Sequence, residues 1–128
     1  MGTTLRGLTL DNVLFDACKF DFATFEKIRA TGPVVFSRCV LTEATFTGCD
    51  LSRAVIDECA LRRTEFERGS YKEMDLRGND LTELRGAGNL AKVILDRGQE
   101  AELARALVAE LETVFGDELE DPVPGRPR

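Results

Sequence analysis

The chain has 128 residues, 43% apolar and 31% charged, with a formal net charge of −6 and no histidine. That length fits one domain around one core. The lack of His excludes imidazole bases, Ser-His triads and His-ligated metals, and the acidic balance disfavours direct binding to a nucleic-acid backbone. No charged-then-apolar signal segment opens the chain, and no run reaches the ~18 uncharged apolar residues of a spanning helix. A soluble cytoplasmic protein without membrane attachment is expected.

From the start of the chain, large apolar residues recur at every fifth position: Leu5, Leu10, Phe15, Phe20 and Phe25. After one interval of eleven that holds Ala30, the series resumes at Phe36 and runs through Leu41, Phe46, Leu51, Ile56, Leu61, Phe66, Tyr71, Leu76 and Leu81. Leu, Phe and Ile make up 27 of 128 residues yet fill 14 of these 16 centres, which excludes chance. Two residues before each centre stands a second set, mostly small, that includes Cys18, Ala23, Cys39, Ala44, Cys49, Ala54, Cys59 and Thr64. A helix repeats near 3.6 residues and a strand at 2, so two inward positions in five demand another geometry.

The units Cys49-Asp50-Leu51-Ser52-Arg53, Met74-Asp75-Leu76-Arg77-Gly78 and Asn79-Asp80-Leu81-Thr82-Glu83 are close to A-(D/N)-L-x-x. On these units and the period, residues 3–83 resemble the pentapeptide-repeat family. The resemblance implies an all-β solenoid, a right-handed quadrilateral β-helix with four pentads per coil. Sixteen pentads then make about four coils, roughly 20 Å tall at ~4.8 Å per coil. Stacking at intervals of 20 or 21 predicts one column of Leu5, Phe25, Phe46 and Phe66 and another of Phe15, Phe36, Ile56 and Leu76. The extra residue near Gly32-Pro33 is expected to bulge a corner.

Cys18, Cys39 and Cys59 fall in one inward column that ends at Asn79. The spacings of the four cysteines match no zinc pattern, and parallel neighbours ~4.8 Å apart at Cβ exceed the ~3.8 Å of a disulfide. They are expected to be small core filler, and Asn79 a structural cap bonded to turn carbonyls. No metal or cofactor is implied.

The outward positions carry mixed charge: residues 3–83 hold 14 acidic and 11 basic side chains. Asp16, Asp50, Asp57, Glu65 and Glu67 are the wall acids available to a basic partner. One outward column is apolar instead, with Leu14, Val35 and Val55 on one side and Val40 and Ala60 beside it, a candidate contact stripe. Only four residues precede Leu5, so the first coil is expected to meet a partner or a further segment of chain.

Leu90, Val93 and Leu95 suit an incomplete fifth coil. Asp96 stands three residues before Gln99 in a capping-box arrangement, and a helix is expected from Gln99 to Phe115, stopped by Gly116. Ala101, Ala104, Leu107, Val108, Leu111, Val114 and Phe115 share an arc of about 140° on that helix. Burying its five large apolar side chains is a gross gain of roughly 7–15 kcal/mol. That face must therefore meet the last coil, a second copy, or both. The organisation read from sequence is a β-helix over residues 1–96, an amphipathic helix over 97–116 and a disordered tail over 117–128.

The run Leu76-Arg77-Gly78-Asn79-Asp80-Leu81, then Val93-Ile94-Leu95-Asp96, then Gln99 and an apolar helix, resembles the gyrase-protecting MfpA and Qnr subgroup of the same family. That resemblance implies a twofold homodimer through Leu107, Val108, Leu111 and Phe115, and an acidic rod that imitates DNA on gyrase. The chain reads as a non-catalytic binding protein, since the repeat occupies two positions in five and no nucleophile-base pair is present. Two functions stay open: a topoisomerase (DNA gyrase)-binding DNA mimic of the quinolone-resistance type, and a general protein-protein interaction scaffold.

Overall fold

Each pentad forms one wall of a coil and then turns a corner, and the corner is made by the second residue after the centre. That residue is left-handed in most pentads, with φ from 51° to 83° across positions such as Ala17, Lys27, Arg38, Glu58 and Gly78. An L-residue in this conformation costs about 1–2 kcal/mol, so the corners are held by the coils around them. The computed structural model describes residues 2–118. Among these residues nine strands follow in chain order: β1 (Thr4–Arg6), β2 (Thr9–Leu10), β3 (Val13–Asp16), β4 (Thr24–Glu26), β5 (Arg29–Ala30), β6 (Val34–Ser37), β7 (Thr45–Thr47), β8 (Val55–Asp57) and β9 (Glu65–Phe66). Helix α1 (Glu100–Glu110) comes after them.

All strand pairing is parallel, in ladders β1-β4-β7-β9, β2-β5 and β3-β6-β8. The register sets Leu5 on Phe25, Phe25 on Phe46 and Phe46 on Phe66, and sets Phe15 on Phe36 and Phe36 on Ile56. These are the columns expected from the five-residue period. Regular pairing extends through about three turns, fewer than the four coils the repeat count gave. The later pentads meet their neighbours through single bridges, such as Val55 to Asp75, Asp75 to Ile94 and Glu65 to Arg85, instead of through strands.

The core is the bore of the solenoid. Phe25, Phe36, Phe46 and Phe66 are at most 2% exposed. Phe46 stacks on Phe25 with ring centroids 4.5 Å apart and on Phe66 at 5.1 Å, while Phe36 meets it edge-on at 6.2 Å. Glycine admits the close approach of neighbouring coils at some corners. The stacking step changes from 20 at Ala30 to 21 at Val34, so the corner at residues 31–33 absorbs the extra residue, and there Gly32 lies against the Asp11 carboxylate. At Gly86, with φ 76°, a Cβ would run into the Phe66 carbonyl. This is why the position one step above Phe66 holds no large apolar side chain.

The helix differs from expectation at its end. It stops at Glu110, and Glu112 turns left-handed at φ 51°, so Val114 and Phe115 lie beyond it. Gly116–Glu118 form a short 3-10 turn where the tail was expected to be disordered. The rest of that tail lies outside the described residues. Among the described residues no helix is long and apolar enough to cross a membrane.

Candidate interaction surfaces

The small inward positions do more than fill space. Where such a residue carries a donor, its side chain also bonds a centre carbonyl of the coil below. Cys39 Sγ donates to Phe15 O at 3.2 Å, Cys49 Sγ to Phe25 O at 3.2 Å and Cys59 Sγ to Phe36 O at 3.3 Å. Thr64 Oγ1 donates to Leu41 O at 2.6 Å and Asn89 Nδ2 to Phe66 O at 3.0 Å. Asn79 Nδ2 donates to Ile56 O at 2.7 Å and Leu76 O at 2.9 Å, while its Oδ1 accepts the Cys59 N–H at 2.9 Å.

Asn79 is therefore a structural cap, as expected. The cysteines, read from sequence as apolar filler, are also donors. Burial pushes the Cys59 thiol up to about 11 and raises Cys39 and Cys49, so all three stay protonated and able to donate at neutral pH. All four cysteines are free, and among the described residues no group of His, Cys, Asp and Glu could hold a metal. The signal that was available is the residue choice itself: Cys, Thr and Asn are the small residues that carry a donor.

The walls bring only some of the expected site residues together. Leu14, Val35 and Val55 are direct strand neighbours, and Val40 bridges to Ala60 on the next wall. Leu14 is 64% exposed, whereas Val35 and Val55 are half-buried. The stripe ends where Val55 meets Asp75.

The acids do not form one stripe. Asp57 lies beside Ile56, Asp50 beside Leu51, and Glu65 and Glu67 flank Phe66, on three different walls. Asp16 is clamped by Arg38, whose Nη2 lies 2.7 Å from both carboxylate oxygens, and the pair raises the Arg38 pKa. Asp50 Oδ1 accepts the Ser52 N–H at 3.1 Å. Ion pairs Arg6–Glu26, Arg53–Glu73 and Arg62–Glu83 stitch adjacent coils, but their side chains are largely solvated and add little stability.

Helix α1 has two unlike faces. Towards the coil it presents buried Ala106 and half-buried Leu103. Glu102 Oε1 accepts the Leu81 N–H at 3.0 Å, and Glu110 Oε1 accepts the Ala87 N–H at 2.6 Å. Gln99 Nε2 donates to the Leu76 and Asn79 carbonyls, each at 2.8 Å, while its Oε1 accepts the Asp96 N–H at 2.8 Å. This is the predicted capping pair, and it also seals the core. Outward, Leu107 is 40% exposed, Leu111 69% and Phe115 54%, with Val108 half-buried. Ala101, Ala104, Val108 and Phe115 line an open, mainly apolar groove of about 630 Å³.

Five-residue periodicity, parallel stacking at 20 or 21 residues and a small inward partner for each centre describe one known repeat. The family model of pentapeptide repeats (8 copies) matches residues 35–69. The matched stretch is a run of pentapeptide repeats. The same geometry extends on both sides of it, from Leu5 to beyond Leu81. No curated protein matches the chain. One solved structure, a trypsin-treated form of QnrB1, described as a plasmid-mediated fluoroquinolone resistance protein, aligns with 90% of this chain and 99% of its own. It shares 15% identity at a TM-score of 0.22, a likeness that carries no argument about this chain.

Proposed function

We propose that this pentapeptide-repeat chain is a non-catalytic protein-binding module that acts as a homodimer. The observation that carries this reading is the outward face of α1 and the segment after it. Leu107, Leu111 and Phe115 remain exposed after the helix has docked on the coil, beside a groove lined with apolar side chains. Apolar residues concentrated on one face of a helix that already has a docked side favour a second copy. Sedimentation velocity tests it. The parent chain should run as a dimer, and Leu111→Asp combined with Phe115→Asp as a folded monomer. A double variant that runs at the parent size would overturn the reading.

In the dimer the solenoid walls are the surface left for a protein partner, and the Leu14, Val35 and Val55 stripe is its apolar part. Binding through this stripe should be lost in Val35→Asp or Val55→Asp and should change little with salt. A second reading, a DNA mimic that binds DNA gyrase, rests on the net charge of −6 and on Asp57, Glu65 and Glu67, which lack an ion-pair partner among the described residues. It predicts association that weakens as salt rises, and loss of any effect on gyrase supercoiling when Asp57→Lys is combined with Glu67→Lys. Asp16 and Asp50 contribute less to that reading, because Arg38 and the Ser52 N–H already engage them. Gyrase activity and drug sensitivity unchanged by micromolar parent protein would retire the second reading.

A further inference from the structure

We propose that the coil surface beneath α1 is a latent docking edge for the first coil of a second copy of this chain, held closed by Glu102 and Glu110. Hydrogen bonds between coils follow a fixed pattern. A centre N–H donates upward to the residue before the next centre: Phe20 to Val40 O at 2.8 Å, Leu41 to Ala60 O at 2.9 Å and Leu51 to Ser70 O at 2.8 Å. The same bond from Leu81 has no further coil to receive it, and the Glu102 carboxylate takes the acceptor's place. The Glu110 carboxylate accepts the neighbouring Ala87 N–H, and Gln99 covers the Leu76 and Asn79 carbonyls. Side chains of one short helix and its N-cap thus substitute for a strand, and the apolar contacts of that helix with the core come from Leu103 and Ala106.

What would replace the helix is set by the repeat. The strand-paired coils offer their upper neighbours one parallel pattern with a 20- or 21-residue step, and a first coil carries the lower half of that pattern to the edge above the last. Among the described residues the first coil offers such an edge. Leu5, Leu10, Phe15 and Phe20 are only partly buried, in contrast with Phe25, Phe36 and Phe46 above them. The Arg29 N–H donates down to Leu8 O, whereas the equivalent Thr9 has no coil below it among the described residues. An unblocked strand edge is a template for another chain. Joining a last coil to a first coil is a head-to-tail contact, which does not close on itself and grows with concentration. Association through the outer face of α1 stops at two copies, so the two events differ in outcome.

The test uses the full chain. Glu102→Ala with Glu110→Ala removes both acceptors, whereas Glu102→Gln with Glu110→Gln keeps an amide oxygen at each position. The alanine variant should keep its β-sheet circular dichroism and sediment as a concentration-dependent series larger than the parent. Its Leu81 and Ala87 amides should exchange about tenfold faster or more at low concentration. The glutamine variant should sediment like the parent. Adding Thr9→Pro to the alanine variant, which removes a donor from the open edge of the first coil, should restore the parent size. The proposal is overturned by an alanine variant that stays at the parent size, that loses its β-sheet signal, or that still grows in the presence of Thr9→Pro.

Discussion

The middle coils and helix α1 use apolar residues in opposite ways. In the coils, large side chains stack on others of their own column, and Phe36, Phe46, Ile56 and Phe66 are at most 1% exposed. Outward side chains on the walls are then freer to vary, because the core does not pack against them. In α1, Ala106 is buried while Leu107, one residue on, is 40% exposed, and Leu111 beyond the helix end is 69% exposed. The contrast separates what the chain needs in order to fold from what it offers to a partner. Substitutions in the first region should be read out as stability, and those in the second as association.

The largest effect should come from Phe46→Ala. Phe46 lies mid-column, stacked on both sides and wholly buried, so truncation should cost about 3–5 kcal/mol in denaturant unfolding. A loss under ~1 kcal/mol would break the comparison, because the column would then not be the seat of stability. Asn79→Ala comes next. It strips donors from the Ile56 and Leu76 carbonyls and the acceptor from the Cys59 N–H, in a place water does not reach. About 1–3 kcal/mol is expected, and Asn79→Asp, which keeps only the acceptor, should recover little of it.

Phe46 and Asn79 also show how far the sequence could be read. The columns were legible because a five-residue period with a 20-residue coil leaves each centre one set of neighbours, and the registers through Phe25, Phe46 and Phe66 follow from it. The role of the cysteines was not. A thiol is counted as apolar filler until the geometry shows a carbonyl 3.2–3.3 Å from Cys39, Cys49 and Cys59. The left-handed corners were also hidden, since Ala17, Lys27 and Arg38 carry no glycine-like signal there. For α1 the apolar arc was visible, but not which part of it docks. Glu102 and Glu110 lie off that arc, and their bonds to backbone N–H groups, with buried Ala106, set the docked face.

Ala17→Gly sharpens the same comparison with a change of opposite sign. Glycine in a strand or helix normally costs roughly 0.5–1 kcal/mol through chain entropy. Ala17 is exposed and held at φ 54°, a conformation that costs an L-residue about 1–2 kcal/mol. The balance favours glycine by about 0.5–1 kcal/mol, seen as a higher midpoint in denaturant. A destabilised Ala17→Gly protein would mean that this corner is not left-handed in solution.

The smallest effect on folding should belong to Leu111→Asp, although Leu111 is as apolar as any coil centre. Its side chain is 69% exposed and lies past the last helical residue, so the aspartate meets water in the monomer and displaces no core contact. Unfolding of the coils, followed at dilution where copies are apart, should move by less than about 0.5 kcal/mol. Compared at high concentration, the parent should gain stability by mass action as copies associate, and the variant should not. A concentration-dependent gap between the two proteins, closing on dilution, would place the value of Leu111 wholly in association. A constant gap of about 2 kcal/mol at every concentration would instead mean that Leu111 packs on the coil, and that α1 belongs to the folding core.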